Sequence, residues 1–533
     1  MNERLGIVVS GSLSKGVEIR LDSSASVEDM AVGRYVTIEG QKRRFFGMTT
    51  DISLGVVDQQ FIQTPPDISD LFVAQVLGGT SIYGTLHVLP MLTISGDIAE
   101  LVDGPQLVKT VPGHFSPVYP ASQQDVELVF GGEDERKFYI GTPLDMETKV
   151  CLNLEELVKR SNGIFGKSGT GKTFLTRLLL IGMLQKSTAV NLVFDMHSEY
   201  GWESWSEVGR KVKALKQLFP EKVAVFTLDE DNSRRRGVST DFVVGIGYDE
   251  IEPEDIGLLR QTLNITDLAV EAVFQISRRF GRDWFQSITN IKNTEELPEG
   301  LNIHESTLHN LQRGLATIRR LPFLVPHSHD NPVKRILDYL DRGVNVVLEF
   351  GRYTDITAYI LVANLLTRRI YAKYREGTEK AMAEDVAPPH PLVITIEEAH
   401  RFLNPGVANQ TIFGTIAREM RKYNTTLLVI DQRPSGIDEE VMSQLGTKIT
   451  CLLDNERDID SLLAGTSGKS GLKSVLSKLE SKQQALIFGH AVPMPVVVRV
   501  RDYGSADSYK GFLARGDAEI NKQAEKDIEE LWH

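Results

Sequence analysis

The sequence predicts an α/β protein with a β-rich module at its N-terminus and a helical insertion in its core. Three observations predict it. Short β-type runs fill residues 1 to about 120; from about 125, apolar runs alternate with helical patterns; and residues from about 250 to 341 show helical spacing alone. At 533 residues the chain exceeds what one hydrophobic core supports, so several domains are expected.

The N-terminal runs GIVVSG, GVEIRL, GRYVTIEG and RRFFGMTTDISLG set β-branched and aromatic residues between Gly, Ser and Asp. That spacing suits a small barrel or sandwich over residues 1–122. Within it, Gly104 to Ser122 is rich in Pro and Gly and reads as a connector. The second domain, 123–504, carries apolar runs at Gly163–Phe165, Asn191–Phe194, Val344–Phe350, Leu392–Ile396, Thr426–Ile430 and Ala485–Phe488. Unbroken runs of this kind suit parallel strands buried on both faces. The insertion, about 250–341, contains AVEAVFQISRRF, STLHNLQRGLATIRRL and PVKRILDYLD, which repeat their apolar residues at the helical period. Residues 505–533 are polar and helix-prone, and read as a C-terminal helical arm.

The sharpest chemical signal is GKSGTGKT, between the apolar run GIF and the helical run FLTRLLLIGML. It satisfies the phosphate-loop pattern G-x-x-x-x-G-K-[ST], which makes the core a P-loop NTPase with a RecA-like parallel sheet. Glycines let such a loop wrap tightly and aim backbone N–H groups at phosphates, while the next helix offers its positive end. Gly166, Lys167, Ser168, Gly169, Thr170, Gly171, Lys172, Thr173 and the adjoining Phe174 are therefore the candidate nucleotide contacts. Lys172 would reach the β- and γ-phosphates of ATP, and the Thr173 hydroxyl would hold Mg²⁺.

A second acidic group is expected at a neighbouring strand end, and PLVITIEEAH supplies Glu397 and Glu398. The first would meet Mg²⁺ through a water, and the second would polarise the attacking water as general base. Two glutamates would also suit the start of a helix, whose dipole favours them. Asp195, in NLVFDMHSEYG, ends another run, where it either assists at the γ-phosphate or caps the next turn. Gln432, in LLVIDQRPSGID, either hydrogen-bonds the γ-phosphate or the attacking water, or belongs to a turn opened by Arg433-Pro434. In TIAREMRKYN, Arg418 and Arg421 share one helical face, an arrangement open to an arginine finger but more common among plain surface arginines.

Taken in order, GKSGTGKT, FDMHSEYG, ITIEEAH with RFL, AREMRKYN and DQRPSGID resemble the HerA branch of the HerA/FtsK translocases, over roughly Asp125 to Tyr503. The β-rich start is similar to the barrel that precedes the ATPase in that family. The resemblance implies a homo-hexameric ring that moves double-stranded DNA through its channel with ATP and Mg²⁺. It further implies that Gln432 is a sensor, that Arg421 is the finger entering the next subunit, and that Arg160 is a second basic residue at the nucleotide. A partner is implied too, a nuclease of the NurA type or another effector, in DNA end processing or antiviral defence. A scaffold whose ATP binding only assembles a partner enzyme is the alternative.

Composition constrains the partners. Apolar residues make up 41% and charged residues 25%, the balance of a globular chain rather than a disordered one. A net charge of -13 argues against wholesale coating by nucleic acid, but leaves room for a local basic channel whose DNA binding would weaken with salt. Candidate DNA contacts are Arg234, Arg235 and Arg236, the densest basic run, and Lys469 and Lys473 in the segment around GTSGKSG, which reads as flexible. The two cysteines, Cys151 and Cys451, can form neither a disulfide framework nor a zinc site. With a charged N-terminus (MNERLGIVVS), they point to a cytoplasmic protein. No apolar stretch approaches the roughly 20 residues of a membrane span.

Overall fold

The computed structural model describes residues 3–512 except 59, 66–68, 70–75, 78–80, 96–103, 206–210, 293, 329–330, 354, 385, 409–410, 420–421 and 481. Residues 513–533, most of the expected C-terminal arm, thus lie outside the described residues.

Alternation of apolar and polar residues near the N-terminus produces strands β1 (Gly6–Ser12), β2 (Gly16–Leu21), β3 (Tyr35–Glu39), β4 (Arg43–Val56), β5 (Ile82–Ser95), β6 (Gln106–Leu107) and β7 (Pro117–Pro120). Their order is β2-β1-β7-β3-β4-β5-β6, and β2 also pairs with β5, so six strands close into a barrel with β6 at its flank. Closure leaves those six strands without free edges. Val8, Ile19, Ile38, Phe45, Leu86 and Val118 fill the interior. The Pro/Gly-rich connector proves to contribute β6 and β7, the latter bridging β1 and β3. Beyond it, Ser122 caps helix α1 (Gln123–Phe130) through a reciprocal pair of bonds with Asp125.

The second domain is built on one twelve-stranded sheet. Its strands are β8 (Lys137–Thr142), β9 (Val150–Asn153), β10 (Asn162–Phe165), β11 (Val190–Asp195), β12 (Val223–Thr227), β13 (Phe242–Val243), β14 (Asn345–Glu349), β15 (Leu392–Glu397), β16 (Thr425–Asp431), β17 (Thr447–Thr450), β18 (Gln484–Gly489) and β19 (Val496–Val500). They lie in the order β13-β12-β14-β11-β15-β16-β10-β17-β18-β19-β8-β9. The eight from β13 to β17 run parallel, and β10, β11, β14, β15 and β16 are buried along their whole length. The remaining four are antiparallel, so the Ala485–Phe488 run, expected as one more parallel strand, instead joins a meander. Strands β8 and β9 precede β10 in the chain yet close the far edge of the sheet.

Helix α2 (Lys172–Lys186) follows β10, and α3 (Glu230–Arg236) follows β12. The insertion holds α4 (Pro253–Leu258), α5 (Asp267–Phe280), α6 (Trp284–Asn290), α7 (Glu305–Arg319) and α8 (Pro332–Asp341), and it follows β12 and β13, two strands that the apolar runs did not announce. Its inward residues, among them Ile276, Phe285, Leu311 and Ile336, are continuous with the core of the sheet domain. Trp284 anchors α6 by donating its indole N–H to the Ile251 carbonyl at 2.9 Å. Helices α9 (Ile356–Glu384), α10 (Ile412–Glu419) and α11 (Lys469–Leu476) complete the framework used below.

The Gly465–Gly471 segment is not the loose stretch that its composition suggests. It leads into α11, which packs against the barrel strand β4. A Cβ on Gly468 would stand 2.3 Å from Leu89 Cδ2, and this glycine takes φ +71°. Only glycine meets both demands at low cost. Among the described residues, no helix is long and apolar enough to cross a membrane. Both cysteines are buried and free.

Candidate nucleotide site

Strand order places the carboxyl ends of β11, β15, β16 and β10 side by side on one edge of the sheet, where ligands of open α/β sheets bind. There β10 ends at Phe165, the chain turns through Gly166–Gly171, and α2 starts at Lys172. A cavity of about 280 Å³ opens above the loop. Its walls are Ser168, Gly169, Gly171, Lys172, Thr173 and Phe174 on one side, and Glu397, Glu398, Asp431 and Gln432 on the other. His197, Glu199 and Ser204, from the segment after β11, close a third side with Arg177.

Lys172 Nζ donates to the Gly166 and Lys167 carbonyls, both at 2.8 Å. Burial lowers its pKa, while Glu398, Asp431 and Glu397 pull the other way. Its amine is held over the loop by these neutral acceptors. Thr173 Oγ1 donates to Glu199 Oε2 at 2.9 Å, so the hydroxyl beside the lysine already faces a carboxylate. At the rim, Lys167 pairs with Asp454 at 2.5 Å.

The acidic wall is crowded. Glu397 is 8% exposed; its Oε1 accepts the Tyr200 hydroxyl at 2.8 Å, and its Oε2 is buried with no hydrogen-bond partner among the described residues. Burial, then repulsion from Asp195 and Glu199, pushes this carboxyl up to about 8. Glu398 sits in the left-handed region at φ 50°, which swings its side chain out of the strand direction and into the cavity. There its Oε1 accepts the Gln432 amide at 3.2 Å. Behind them Asp431 Oδ2 accepts the His400 backbone N–H at 2.7 Å and lies 2.9 Å from His400 Nδ1; this bond raises the His400 pKa.

Of the residues expected from sequence, Ser168, Gly169, Gly171, Lys172, Thr173, Phe174, Glu397, Glu398 and Gln432 thus converge on one cavity, while Gly166, Lys167 and Thr170 do not line it and bond within the loop. Asp195 does not line it. Fully buried, it accepts the backbone N–H groups of Glu199, Tyr200 and Gly201, the turn-capping role of its two readings. The acid that reaches Thr173 is Glu199, which the sequence reading passed over together with Tyr200, His197 and Arg177. The motif FDMHSEYG contained the signal: a strand-end aspartate spent on its own turn leaves the next acid to face the ligand. Arg177, 1% exposed, donates to the Glu199 carbonyl and to Ser204 Oγ, and its guanidinium lies beside both the Phe174 and Tyr503 rings, which also contact each other.

Other expected residues fall elsewhere. Arg160 precedes β10, at the opposite end of that strand from the loop, and packs on Gly446. Arg418 donates to the Ala408 carbonyl at 3.1 Å and lies 3.4 Å from Glu440, away from this cavity. Arg421 lies outside the described residues. Within α3, Arg234 pairs with Glu230, Arg235 is exposed, and Arg236 turns inward to the buried Glu349 at 2.9 Å, so it is not available as a surface DNA contact. Lys469 and Lys473 stand on α11, paired with Asp460 and Glu456 rather than on a flexible segment.

Residues 138–370 match the family model described as the central domain of helicase HerA, and residues 5–100 match that of the HAS barrel domain. A probable DNA double-strand break repair helicase HerA of Methanocaldococcus jannaschii is 30% identical over 403 residues, which cover 70% of this chain and 76% of the relative. The DNA double-strand break repair helicase HerA of Pyrococcus furiosus is 25% identical over 453 residues, 80% and 79% of the two chains. Among solved structures, the bacterial conjugative coupling protein TrwB overlaps 72% of this chain and 94% of its own, with a TM-score of 0.45 at 11% identity.

Proposed function

The chain belongs to the HerA helicase family and is a P-loop ATPase, and from this premise we propose that a hexameric ring of it drives double-stranded DNA through a central channel at the expense of ATP. One observation carries the reading: Lys172 and Thr173 face Glu397, Glu398 and Gln432 across a single cavity. Loop N–H groups and Lys172 would take the β- and γ-phosphates, the amine exchanging its carbonyl partners for phosphate oxygens.

The residues fit a magnesium ion. Thr173 presents a hydroxyl, and Glu397 holds a buried oxygen without a partner beside Asp195 and Glu199. No cluster of three or more His, Cys, Asp or Glu ligands occurs among the described residues, which suits a cation that keeps waters and phosphate oxygens in its shell. When bound, Mg²⁺ would neutralise charge on the β- and γ-oxygens. Thr173 would ligate it directly, and Glu397 and Glu199 through water.

Hydrolysis then needs a water in line with the γ-phosphorus. Glu398 accepts one of its protons as the new P–O bond forms and the bond to the β–γ bridging oxygen breaks, releasing ADP. Gln432, already bonded to Glu398, orients that water and registers loss of the γ-phosphate. Arg421 is the residue we assign to the subunit boundary, with Arg418 as its neighbouring candidate, where an arginine would stabilise the transferring phosphoryl group; Arg160, at the far end of β10, is left out of this role. Release of product weakens the boundary and shifts the channel loops along the DNA backbone. The names of the relatives, DNA double-strand break repair helicases, support DNA as the cargo. The barrel is the face we assign to a NurA-type nuclease or other effector.

ATPase rate with and without linear duplex DNA, measured beside native particle mass, tests the proposal. We expect a six-copy particle stimulated severalfold by DNA, and loss of hydrolysis in Glu398→Gln by about 10²–10⁴. A rate indifferent to DNA would favour the scaffold alternative.

A further inference from the structure

We infer that Arg236 is a positioning residue for the cation side of the nucleotide site, holding the Met196–Tyr200 segment that delivers Glu199 to Thr173. The inference rests on the nucleotide-site reading above and adds a part that lies outside the cavity.

Three observations support it. Strand partners Asp195 and Glu349 end β11 and β14 in register, both fully buried. Asp195 secures the inner side of the segment by accepting three backbone N–H groups. Glu349 lies against the outer side, so close that a Cβ on Gly201 would stand 2.8 Å from its Oε1. Its other oxygen accepts Arg236 Nη1 at 2.9 Å, and Arg236 Nη2 reaches the Ser198 carbonyl at 3.4 Å. Ser198 itself holds φ 57°, a left-handed conformation that a serine keeps only where its surroundings impose it. Those surroundings are Asp195 on one side and Arg236 on the other.

Helix α3 is suited to act as a brace. Asp229 caps its start and is gripped by Arg352 through two guanidinium bonds, at 2.7 and 2.9 Å, while Arg236 ends the helix on Glu349. Both anchors belong to the end of β14 and the turn after it, so the helix cannot shift without disturbing the segment behind Glu199. Among the described residues no hydrogen bond or ion pair joins Arg236 to a residue that lines the cavity, and it acts through Glu349 and Ser198. Residues that orient a metal's partners from behind commonly change metal affinity by about 10–100-fold when removed.

Binding of the fluorescent nucleotide mant-ADP, with Mg²⁺ and with EDTA, tests the inference on Arg236→Met, Arg236→Lys and the double variant Arg236→Met/Glu349→Gln. The double variant leaves no buried carboxylate without its cation, so it decides the matter if Arg236→Met fails to fold. We expect the Mg²⁺-dependent gain in affinity to shrink about tenfold in the Met variants and less in the Lys variant. Affinity in EDTA should stay within about twofold, because the phosphate loop is untouched. ATPase measurements should show a raised Mg²⁺ half-saturation and lowered kcat with little change in KM for ATP. Folded variants that keep the wild-type gain would overturn the inference alone. A wild-type protein whose affinity ignores Mg²⁺ would overturn the nucleotide-site reading and this inference with it.

Discussion

Replacing Glu397 with Gln in nucleotide-free protein, kept in EDTA, should make the protein more stable above neutral pH and flatten its pH dependence. The wild-type carboxyl titrates near its ordinary 4.5 in the unfolded chain and at about 8 in the folded one, with burial the main cause and Asp195 and Glu199 adding to it. Between those values the folded state holds a proton that the unfolded state has released. Raising the pH therefore favours unfolding, by about 1.4 kcal/mol per pH unit for a group titrating alone and at most about 5 kcal/mol above pH 8. Sharing of protons with the neighbouring acids reduces this, so a slope difference of about 1 kcal/mol per unit is the working figure. Glutamine keeps the acceptor for the Tyr200 hydroxyl and removes only the charge. For a domain of this size, about 1 kcal/mol moves the transition by about 1–2 °C. Scanning calorimetry from pH 5.5 to 7.5 should then show the two melting curves diverging by about 2–4 °C, with the variant higher at the alkaline end. Parallel curves would refute the reasoning, since other raised carboxyls such as Glu349 titrate in both proteins and cancel in the difference.

Two further outcomes follow from backbone geometry. Gly468→Ala puts a Cβ against Leu89 at a left-handed position, so the junction of barrel and ATPase should weaken by about 1–3 kcal/mol. Limited proteolysis should release the barrel sooner, and an unchanged cleavage rate would contradict that. At Glu398, φ 50° means that Gly should be tolerated better than Ala by about 1 kcal/mol although both abolish hydrolysis; equal melting temperatures for the two variants would remove the strain argument.

Much of this architecture was legible because its signals are local. A phosphate loop needs four residues of fixed type within eight consecutive positions, and GKSGTGKT lies at the strand-to-helix junction where the pattern requires it. Glu397 and Glu398 were found by the same logic, as acids ending an apolar run. What stayed hidden depends on partners distant in sequence. Strand β17, TKIT, is too short and too polar to announce itself, yet it lies fully buried beside β10. Nothing in Ala485–Phe488 encodes direction; pairing with β17 and β19 makes it antiparallel. Arg236 reads as the end of a basic run, and only the placement of Glu349, 113 residues away, turns it inward. Gly468 and Gly471 look like a loose loop until the barrel arrives against them.

Charge ties these parts together. Glu199, Glu397, Glu398 and Asp431 line the cavity opposite Lys172, and Lys167 at the rim is already paired with Asp454. A triphosphate entering alone would meet that wall with the half-buried Lys172 ammonium and the Arg177 guanidinium in its favour, and each like-charged pair at about 6 Å costs about 3 kcal/mol at an effective dielectric of 20. On the proposed function a divalent cation would change the sign of the problem, because the acids that repel phosphate would become the groups that hold the metal's waters. The proton stored on Glu397 must then leave, since a neutral carboxyl is a poor partner for a cation. On the proposed function, cation uptake, proton release and phosphate binding would be one linked event at this strand edge, and the acidic wall would favour nucleotide that arrives with its metal.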